Sequence, residues 1–391
     1  MKTRPSTIIA ISVISILLVA TAALRASPVS ASVCSPAGGT GLTASMIATS
    51  HQTISGITIN AAGCDVGIYI GPGTNHVDIS GVTVTGANDH AIFAQDASQI
   101  TVENSFVSGN GLAPHTCAFP GAPGPCIAEN KAIQFVGTTN SQITGNVVSH
   151  NSADGGIGIA DDGPASVGGD PAALSASATK PTPSHNDEIS GNTIVDNENG
   201  CGIVVASYDA NVGVKDIKVE GNTVIGVAPS GAPNSGPYGG PGSFYGQIVV
   251  AGDGPFAQVS NVKVDNNVVS GSLLPGIVVH SNVFGDTIDN TEISGNTVAN
   301  NGYYPPFFGP PGDTNTPLAP TLSNGISVVA EVGVQPPHLG PDPTVSHTHI
   351  KSNTILADNN GVWLCGTDHT DISHLQGNPT NPTATCPAGG N

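Results

Sequence analysis

The sequence predicts an all-β fold, a single parallel solenoid of about nine rungs with long loops flanking one face. The first observation behind this prediction is a short phrase that recurs along most of the chain, as in ISGNTI. Six copies carry Asn at its fourth position: Asn146, Asn192, Asn222, Asn267, Asn296 and Asn353. Three degenerate copies place another residue there: Ile57, Val82 and Ser105.

The second observation is a phrase of one small residue and alternating aliphatics, such as GIVV, that follows every copy. It starts at nine positions: Gly67, Ala91, Ala132, Gly156, Gly202, Gln247, Gly276, Gly325 and Gly361. The shortest spacing between copies of the first phrase is 23 residues, from Val82 to Ser105. That length fits three short strands with their turns and leaves no room for a helical crossover. Rungs about 4.8 Å apart would then share one continuous core.

The recurring Asn predicts a bend between two strands. Such a bend needs a left-handed backbone, which Asn and Gly tolerate better than branched residues. Six Asn side chains in register would stack as a ladder of amides. We therefore expect them to belong to the scaffold.

The stretch ISGNTIVDNENGCGIVV resembles the repeats of right-handed parallel β-helix proteins, the pectin-lyase-like superfamily. The resemblance covers roughly residues 50–365, and the right-handed rule for parallel crossovers agrees with it. It implies that substrate lies along the outer face of the GIVV-type strands. It does not imply one activity, because this fold hosts lyases, hydrolases, epimerases and non-catalytic surface proteins.

The N-terminal pattern over residues 1–31 is typical of a secretory signal peptide. Lys2 and Arg4 precede an apolar run at 8–24, and Val29-Ser30-Ala31 suits a small-residue cleavage site. A retained membrane anchor is the alternative, since the run is near the short limit for spanning. A lipoprotein is disfavoured, because Val33 precedes Cys34 where Gly or Ala would be expected.

Three further segments complete the predicted organisation: an N-terminal cap at 32–49, the β-helix domain at 50–366, and a C-terminal cap with a polar tail at 367–391. Removal of the signal peptide takes both arginines with it and leaves six lysines against 28 acidic residues. Nucleic acid, anionic membranes and polyanionic sugars are therefore electrostatically disfavoured as partners. We expect a secreted or extracytoplasmic monomer.

Seven cysteines follow the signal peptide, in a setting where disulfides persist. Three pairings suggest themselves, although sequence does not fix connectivity: Cys34 with Cys64, Cys117 with Cys126, and Cys365 with Cys386. Cys201 is left over in GCGIVV, and we expect it to be a small buried apolar residue.

Long insertions flank the GIVV-type strand on both sides and predict the walls of a groove. Three precede it and two follow it: 109–131, 227–246, 301–324, 161–187 and 331–349. Rings in or beside these loops could stack on sugar faces, or else pack inward as small satellite cores. The candidate substrate-binding residues are Tyr208, Tyr245, Tyr303, Tyr304, Asn282 and Glu331.

Alternation along the GIVV-type strands assigns their Ile residues to the core and turns a small, apolar set outward. The outward set begins with Gly158, Val204, Val249 and Val278, and continues with Ala160, Ala206, Ala251 and His280. Pectate lyases use calcium-binding carboxylates and typically an Arg base on this face. The predicted mature chain has no Arg, so this floor argues against a copy of that site.

Acidic residues gather where these strands end, from Asp96 to Glu331. The candidate catalytic residues are Asp161, Asp162, Asp209, Asp253 and His280. Paired carboxylates are what glycoside hydrolysis needs, one as acid and one as base or nucleophile. IADDG and His280 also resemble elements of polygalacturonases, whose Asn-Thr-Asp, Gly-His-Gly and Arg-Ile-Lys elements do not occur here. Crowded carboxylates could hold calcium as a cofactor, or could simply keep the surface soluble.

Two functions of different class follow from the sequence. The first is an exported protein that binds carbohydrate along one strand face and hydrolyses a neutral or weakly charged glycan. The second is a non-catalytic surface, adhesion or structural β-helix that uses the same loops to bind a polysaccharide or cell-surface glycan. A polysaccharide lyase ranks below both.

Overall fold

The structure is a computed structural model. It describes residues 33–38, 40–112, 131–152, 155–162, 181–197, 201–226, 246–272, 275–281, 283–301, 324–330, 341–358, 360–379 and 381–385, and the backbone of 28–29, 115–116 and 125–126. These residues form strands and turns, with no helix among them. In the described part of the chain, no helix is therefore long and apolar enough to cross a membrane.

Sheet 1 contains the GIVV-type strands. Its first strand pairs antiparallel with the second, and every later neighbouring pair is parallel. In chain order the strands are Ser35–Pro36, Thr43–Ala48, Val66–Ile70, His90–Gln95, Lys131–Val136, Gly155–Ala160, Cys201–Ser207, Ile248–Gly252, Ile277–Ser281, Asn324–Ala330, Asn360–Cys365 and Asn381–Thr385.

Sheet 2 contains the strands that precede the Asn bend, and its neighbours are parallel. The strands are Thr53–Ser55, Asn75–Ser80, Ser98–Glu103, Gln142–Thr144, Ser184–His185, Glu188–Ser190, Val214–Glu220, Gln258–Asp265, Thr287–Ser294, Thr344–Lys351 and Asp368–Ser373. Ser184–His185 pairs with the same neighbour as Glu188–Ser190.

Sheet 3 contains the short strands that follow the Asn bend, again all parallel. They are Pro28–Val29, Thr58–Asn60, Thr83–Thr85, Phe106–Ser108, Val147–Ser149, Thr193–Val195, Thr223–Ile225, Val268–Ser270, Thr297–Ala299, Thr354–Leu356 and Gln376–Gly377. A separate antiparallel pair joins His115–Thr116 to Pro125–Cys126.

Each rung runs through sheet 2, then sheet 3, then sheet 1, as the repeat predicts. Ile157, Ile203, Ile248 and Ile277 stand in register on neighbouring strands of sheet 1 and are fully buried. They belong to one hydrophobic cluster that extends from Ala48 to Val362. The predicted all-β parallel solenoid is therefore confirmed. The segment after Cys365 adds one more strand to each sheet, where the sequence carries no copy of either phrase.

The six Asn residues form the predicted ladder. At each step the backbone N–H and Nδ2 of one Asn donate to Oδ1 of the next at 2.8 to 3.0 Å, as between Asn192 and Asn222. The same Nδ2 also donates to a carbonyl of the preceding rung. One detail of the prediction was wrong. The left-handed residue is the one just before the Asn, such as Gly221 with φ of 65° or Asn266 with φ of 57°.

A second ladder, which was not predicted from the sequence, lies five residues further along the rungs. Asn110 donates to Oδ1 of Asn151, and Asn151 donates to Oδ1 of Asn197, at 2.9 to 3.1 Å. Nearer the C-terminus the backbone N–H of Asn301 donates to Asp358 in the same way, at 2.8 Å. These buried amides satisfy backbone groups at the corner between sheets 3 and 1.

Cys34 and Cys64 form a disulfide, as predicted. Cys365 is disulfide-bonded as well, and its expected partner, Cys386, lies outside the described residues. So do Cys117 and the side chain of Cys126, so that pairing stays a prediction. Cys201 is buried and packs with Val204 on the outer face of sheet 1.

Candidate functional site

The outer face of sheet 1 changes character along the solenoid. One column of outward residues runs in register through Tyr69, Phe93, Gln134, Gly158 and Val204. From Gly158 to Val278 the column is small and apolar, as predicted, and Val204, Val249 and Val278 share a cluster separate from the core. Toward the N-terminus it becomes aromatic and polar. The apolar floor therefore covers only part of the face.

The next outward column shows the same contrast. It runs through Gln95, Val136, Ala160, Ala206, Ala251 and His280. Gln95 therefore occupies the same register position as Ala160, two rungs away. Ala160 belongs to the outward set that was predicted to be small and apolar. Gln95 introduces an amide where Ala160, Ala206 and Ala251 carry methyl groups.

A hydrogen-bonded chain connects Tyr69, Gln95 and Asp162. The Tyr69 hydroxyl donates to Oε1 of Gln95 at 3.1 Å. Nε2 of Gln95 lies 3.4 Å from both carboxylate oxygens of Asp162, toward which it donates. All three side chains are at most 2% exposed. Burial, followed by the charges of Asp162 and Asp96, raises the pKa of Tyr69, so this hydroxyl stays a donor.

Asp96 and Asp162 approach each other across Gly137. The three residues follow neighbouring strands of sheet 1, and Gly137 has a left-handed φ of 61°. A Cβ on Gly137 would stand 2.6 Å from Oδ1 of Asp96 and 2.9 Å from Cβ of Asp162. Only glycine leaves this space open. Asp96 is partly exposed, whereas Asp162 is enclosed.

The structure separates Asp161 from Asp162, although both were predicted to belong to one catalytic set. Asp161 is fully buried, and both its oxygens accept hydrogen bonds from the next turn of the chain. Its donors are the Ser207 hydroxyl at 2.6 Å and the backbone N–H groups of Tyr208 at 2.9 Å, Gly213 at 3.1 Å and Asp209 at 3.4 Å.

Burial raises the pKa of Asp161 to about 6, with the charge of Asp209 adding to it and the hydrogen bonds opposing it. Because its acceptor sites face the turn at 207–213, this geometry favours a scaffold role for Asp161 over the predicted catalytic one.

The other predicted catalytic residues lie on the following rungs. Asp209 is 7% exposed and its N–H faces Asp161. Asp253 is anchored by its backbone N–H, which donates to the Ser207 carbonyl at 2.9 Å. Its carboxylate lies 3.5 Å from Nδ1 of His280, a ring that is 1% exposed. Asp253 and His280 thus form a separate pair. They lie further along the edge of sheet 1 at which its strands end, which we call the strand-exit edge.

Tyr208 is the one predicted substrate-binding residue that the structure describes. It is partly buried and packs against the apolar clusters on the outer face of sheet 1. Tyr245, Tyr303, Tyr304, Asn282 and Glu331 lie outside the described residues, as do most of the five predicted insertions. Within the described ranges, no group of three or more His, Cys, Asp or Glu side chains could hold a metal ion.

Tyr69, Gln95 and Gln134 are not among the predicted site residues, and Asp96 is one of the acidic residues at the strand ends but not one of the predicted catalytic residues. The signal is nevertheless present in the second phrase. The alternation that assigns the GIVV copies also turns Tyr69 and Phe93 outward in GIYI and AIFA. Gly137 leaves space between Asp96 and Asp162, which lie on the neighbouring rungs. The sequence of a single strand does not show how closely neighbouring rungs pack.

Residues 41–253 match the family described as right handed beta helix region, over more than half of the chain. The chain belongs to this family. The sheets and their parallel register agree with the match. No curated protein sequence matches the chain.

Three solved structures are similar in fold to this chain, each at low sequence identity. The A-module of Azotobacter vinelandii mannuronan C-5 epimerase AlgE4 is 12% identical, with 88% of this chain and 85% of that one covered and a TM-score of 0.46. PfbA, a surface adhesin of Streptococcus pneumoniae, is 11% identical, with 86% and 83% covered and a TM-score of 0.44.

The Yersinia enterocolitica family 28 exopolygalacturonase is 11% identical, with 81% of this chain and 45% of that one covered and a TM-score of 0.42. At these identities the likeness concerns the fold alone.

Proposed function

We propose that this protein is exported, binds a neutral or weakly charged glycan along the outer face of sheet 1, and hydrolyses it with Asp96 and Asp162. The observation that carries the proposal is the approach of these two carboxylates across Gly137, at the edge where the strands of sheet 1 end. Two carboxylates on either side of a glycosidic bond are the minimal apparatus of glycoside hydrolysis.

The two carboxylates have different surroundings, which suits different roles. Asp96 is partly exposed, and its close approach to Asp162 across Gly137 suits the short carboxylate separation of retaining enzymes, so it acts as the nucleophile. Asp162 is enclosed with Gln95 and Tyr69 and acts as the proton donor to the leaving oxygen. The Gln95 amide, held by the Tyr69 hydroxyl, positions the Asp162 carboxyl group. Asp253 and His280, further along the edge, serve to bind a longer glycan.

The disulfide between Cys34 and Cys64 and the signal-like N-terminus support export. The acid excess of the chain supports a glycan without strong negative charge, because a polyanion would be repelled. We propose that the protein acts as a monomer on a polysaccharide or a cell-surface glycan.

A non-catalytic binding protein is the second candidate. It is favoured by the 2% exposure of Asp162, since an enclosed carboxylate does not reach a glycosidic bond unless its cover moves. In that case the outer face of sheet 1 binds the glycan, and the protein does not cleave it. A lyase stays the weakest hypothesis, because the predicted mature chain lacks arginine.

The test is incubation with a broad polysaccharide panel, with and without calcium, in which new reducing ends and unsaturated products are measured separately. The proposal predicts reducing ends without unsaturation, abolished in Asp162→Asn. Asp78→Asn is the matched control, because Asp78 is exposed on sheet 2 and the charge change is identical. Glycan retention without new ends would establish the binding protein, and unsaturated products would establish a lyase.

A further inference from the structure

The outer face of sheet 3 carries no charged side chain. Nine of its strands have three residues each, of which the middle one is buried and the first and third face outward. The first residues are Thr58, Thr83, Phe106, Val147, Thr193, Thr223, Val268, Thr297 and Thr354. The third residues are Asn60, Thr85, Ser108, Ser149, Val195, Ile225, Ser270, Ala299 and Leu356. We call these two columns the threonine face.

The outer face of sheet 2 has the opposite character, although it is built on the same rungs. Glu188, Lys218, Lys263 and Glu292 stand in register on its successive strands. The chain has 28 acidic residues, so its composition does not explain an uncharged face. The absence of charge from the threonine face therefore disfavours a charged partner.

The threonine face is also regular. Thr193 and Thr223 are neighbours in register, as are Thr297 and Thr354. The first Asn ladder directly precedes the face, and the second ladder begins two residues beyond it, so hydrogen bonds fix the rungs on both sides. Because Thr and Val are stiff at χ1, their side chains are ordered in advance. Outward groups thus repeat at about 4.8 Å along the solenoid and at about 6.7 Å along a strand.

Apolar groups stand among the hydroxyls of the threonine face. Phe106 is 36% exposed, Leu356 is 37% exposed and Val268 is 41% exposed. Each threonine adds a methyl group beside its hydroxyl. Phe106 is the one aromatic residue in the two columns, so stacking on sugar rings is not favoured.

The face is narrow for a protein partner. It is about 40 Å long and about 10 Å wide, because nine rungs lie about 4.8 Å apart and each contributes a three-residue strand. Its area of about 400 Å² is half of the roughly 800 Å² that each partner contributes to a standard protein interface. A second copy of this acidic chain would gain little contact and would meet like charge.

We propose that the threonine face binds the surface of ice. Ice presents a flat, uncharged and periodic array of water molecules, whose repeats are close in length to those of the outward side chains. A threonine hydroxyl both donates and accepts hydrogen bonds, as each lattice water does. The hydroxyls hold waters at lattice positions, and the methyl groups of Thr and Val lie between them. Many weak contacts then add along the rungs, with little ordering entropy to lose.

This inference goes beyond the proposed function and is independent of it. Glycan binding is proposed for the outer face of sheet 1, whereas ice meets the outer face of sheet 3. Each face can therefore be altered without changing the other.

The test is the difference between the melting and growth temperatures of a single ice crystal in a solution of the purified protein. We expect the wild-type protein to hold growth below the melting point and to give the crystal flat facets. Thr223→Lys should lower this difference severalfold, because a long, strongly hydrated ammonium group holds the face away from the lattice. Thr297→Lys should act in the same way.

Thr101→Lys is the matched control. Thr101 is a partly exposed outward residue of sheet 2, between Asp78 and Gln142 in register. It should leave ice growth as in the wild type. Melting temperatures of all three variants confirm that each protein is folded.

Three results would overturn the proposal. The first is ice growth at the melting point in the wild-type protein, and the second is an equal effect of Thr223→Lys and Thr101→Lys. The third is a wild-type dimer in sedimentation that Thr223→Lys dissociates, which would assign the face to a second copy. None of these results depends on whether a polysaccharide is cleaved.

Discussion

The Asn ladder and the strand-exit edge of sheet 1 are built on the same rungs and differ in every other respect. In the ladder, each rung presents the same side chain to the same partners, at 2.8 to 3.0 Å, in a fully enclosed column. At the edge, Asp96, Gly137 and Asp162 follow consecutive strands of sheet 1, and each has different contacts. Repetition therefore marks the scaffold of this solenoid, and departure from the repeat marks the place for chemistry.

The largest expected effect is on the ladder. Asn222→Ala removes an acceptor for two donors of Asn192 and a donor to Asn267 and to the Ile189 carbonyl. Several buried polar groups would lose their partners at once, so we expect the free energy of unfolding to fall by about 4 kcal/mol. Denaturant unfolding, followed by circular dichroism, measures the change.

Asn60→Ala is the control for the ladder. Asn60 is exposed, and its side chain accepts one hydrogen bond from the nearby N–H of Ala62 at 3.1 Å. Its loss should cost less than about 1 kcal/mol. Equal losses in the two variants would mean that the ladder contributes no more than a surface turn.

The second prediction concerns the pH dependence of stability. Asp161 and Asp187 are buried carboxyl groups whose hydrogen bonds are made within the scaffold. Burial raises the pKa of Asp161 to about 6 and that of Asp187 to about 7. A raised pKa means that the folded state holds protons which the unfolded state releases. The contribution of these two groups to stability should thus be fully present below about pH 4 and be lost as the pH rises through 6 to 7, by on the order of 2 kcal/mol.

Unfolding free energies at pH 4.5 and 7.5 test this prediction, and Asp187→Asn should flatten the difference. Asp187 accepts hydrogen bonds from the Thr138 hydroxyl and the Ser141 N–H, both at 2.7 Å. Its amide variant cannot titrate. A protein that becomes less stable on acidification over this range would contradict the assignment of these carboxyl groups.

The smallest effect is expected where an acid replaces an amide in the second ladder. Asp358 accepts from the N–H of Asn301, as Asn197 accepts from Asn151. Burial raises the pKa of Asp358 to about 6. Asp358→Asn keeps the acceptor and removes a buried charge, so it should stabilise the protein by up to about 1 kcal/mol at pH 7.5.

The gain from Asp358→Asn should shrink at pH 4.5, where the native carboxyl group is protonated as well. Paired melting curves at the two pH values provide the measurement. If Asp358→Asn destabilises the protein at both pH values, an amide does not replace the acid at this position. The likeness between the acceptor positions of Asp358 and Asn197 would then not explain why the second ladder contains an acid.

The fold was predictable because each rung repeats the same local requirements. Asn222 and Ile203 could be assigned from the pattern alone, and their environments agree with the assignment. The candidate site was only partly predictable. Asp161 and Asp162 are adjacent in sequence and chemically identical, and only the fold of the next turn shows that Asp161 is enclosed by donors. Gln95 and Gln134 could have been found by extending the outward alternation to every rung.

The most direct test of the central claim is to compare Asp161→Asn with Asp162→Asn in both stability and glycan turnover. Asp161 accepts four hydrogen bonds from the following turn, and an amide would turn its NH₂ group toward some of these donors. Asp161→Asn should therefore lose about 3 kcal/mol of unfolding free energy. Asp162→Asn should keep its stability within about 0.5 kcal/mol and lose turnover. The opposite pattern, with Asp162 needed for folding and Asp161 dispensable, would contradict the account.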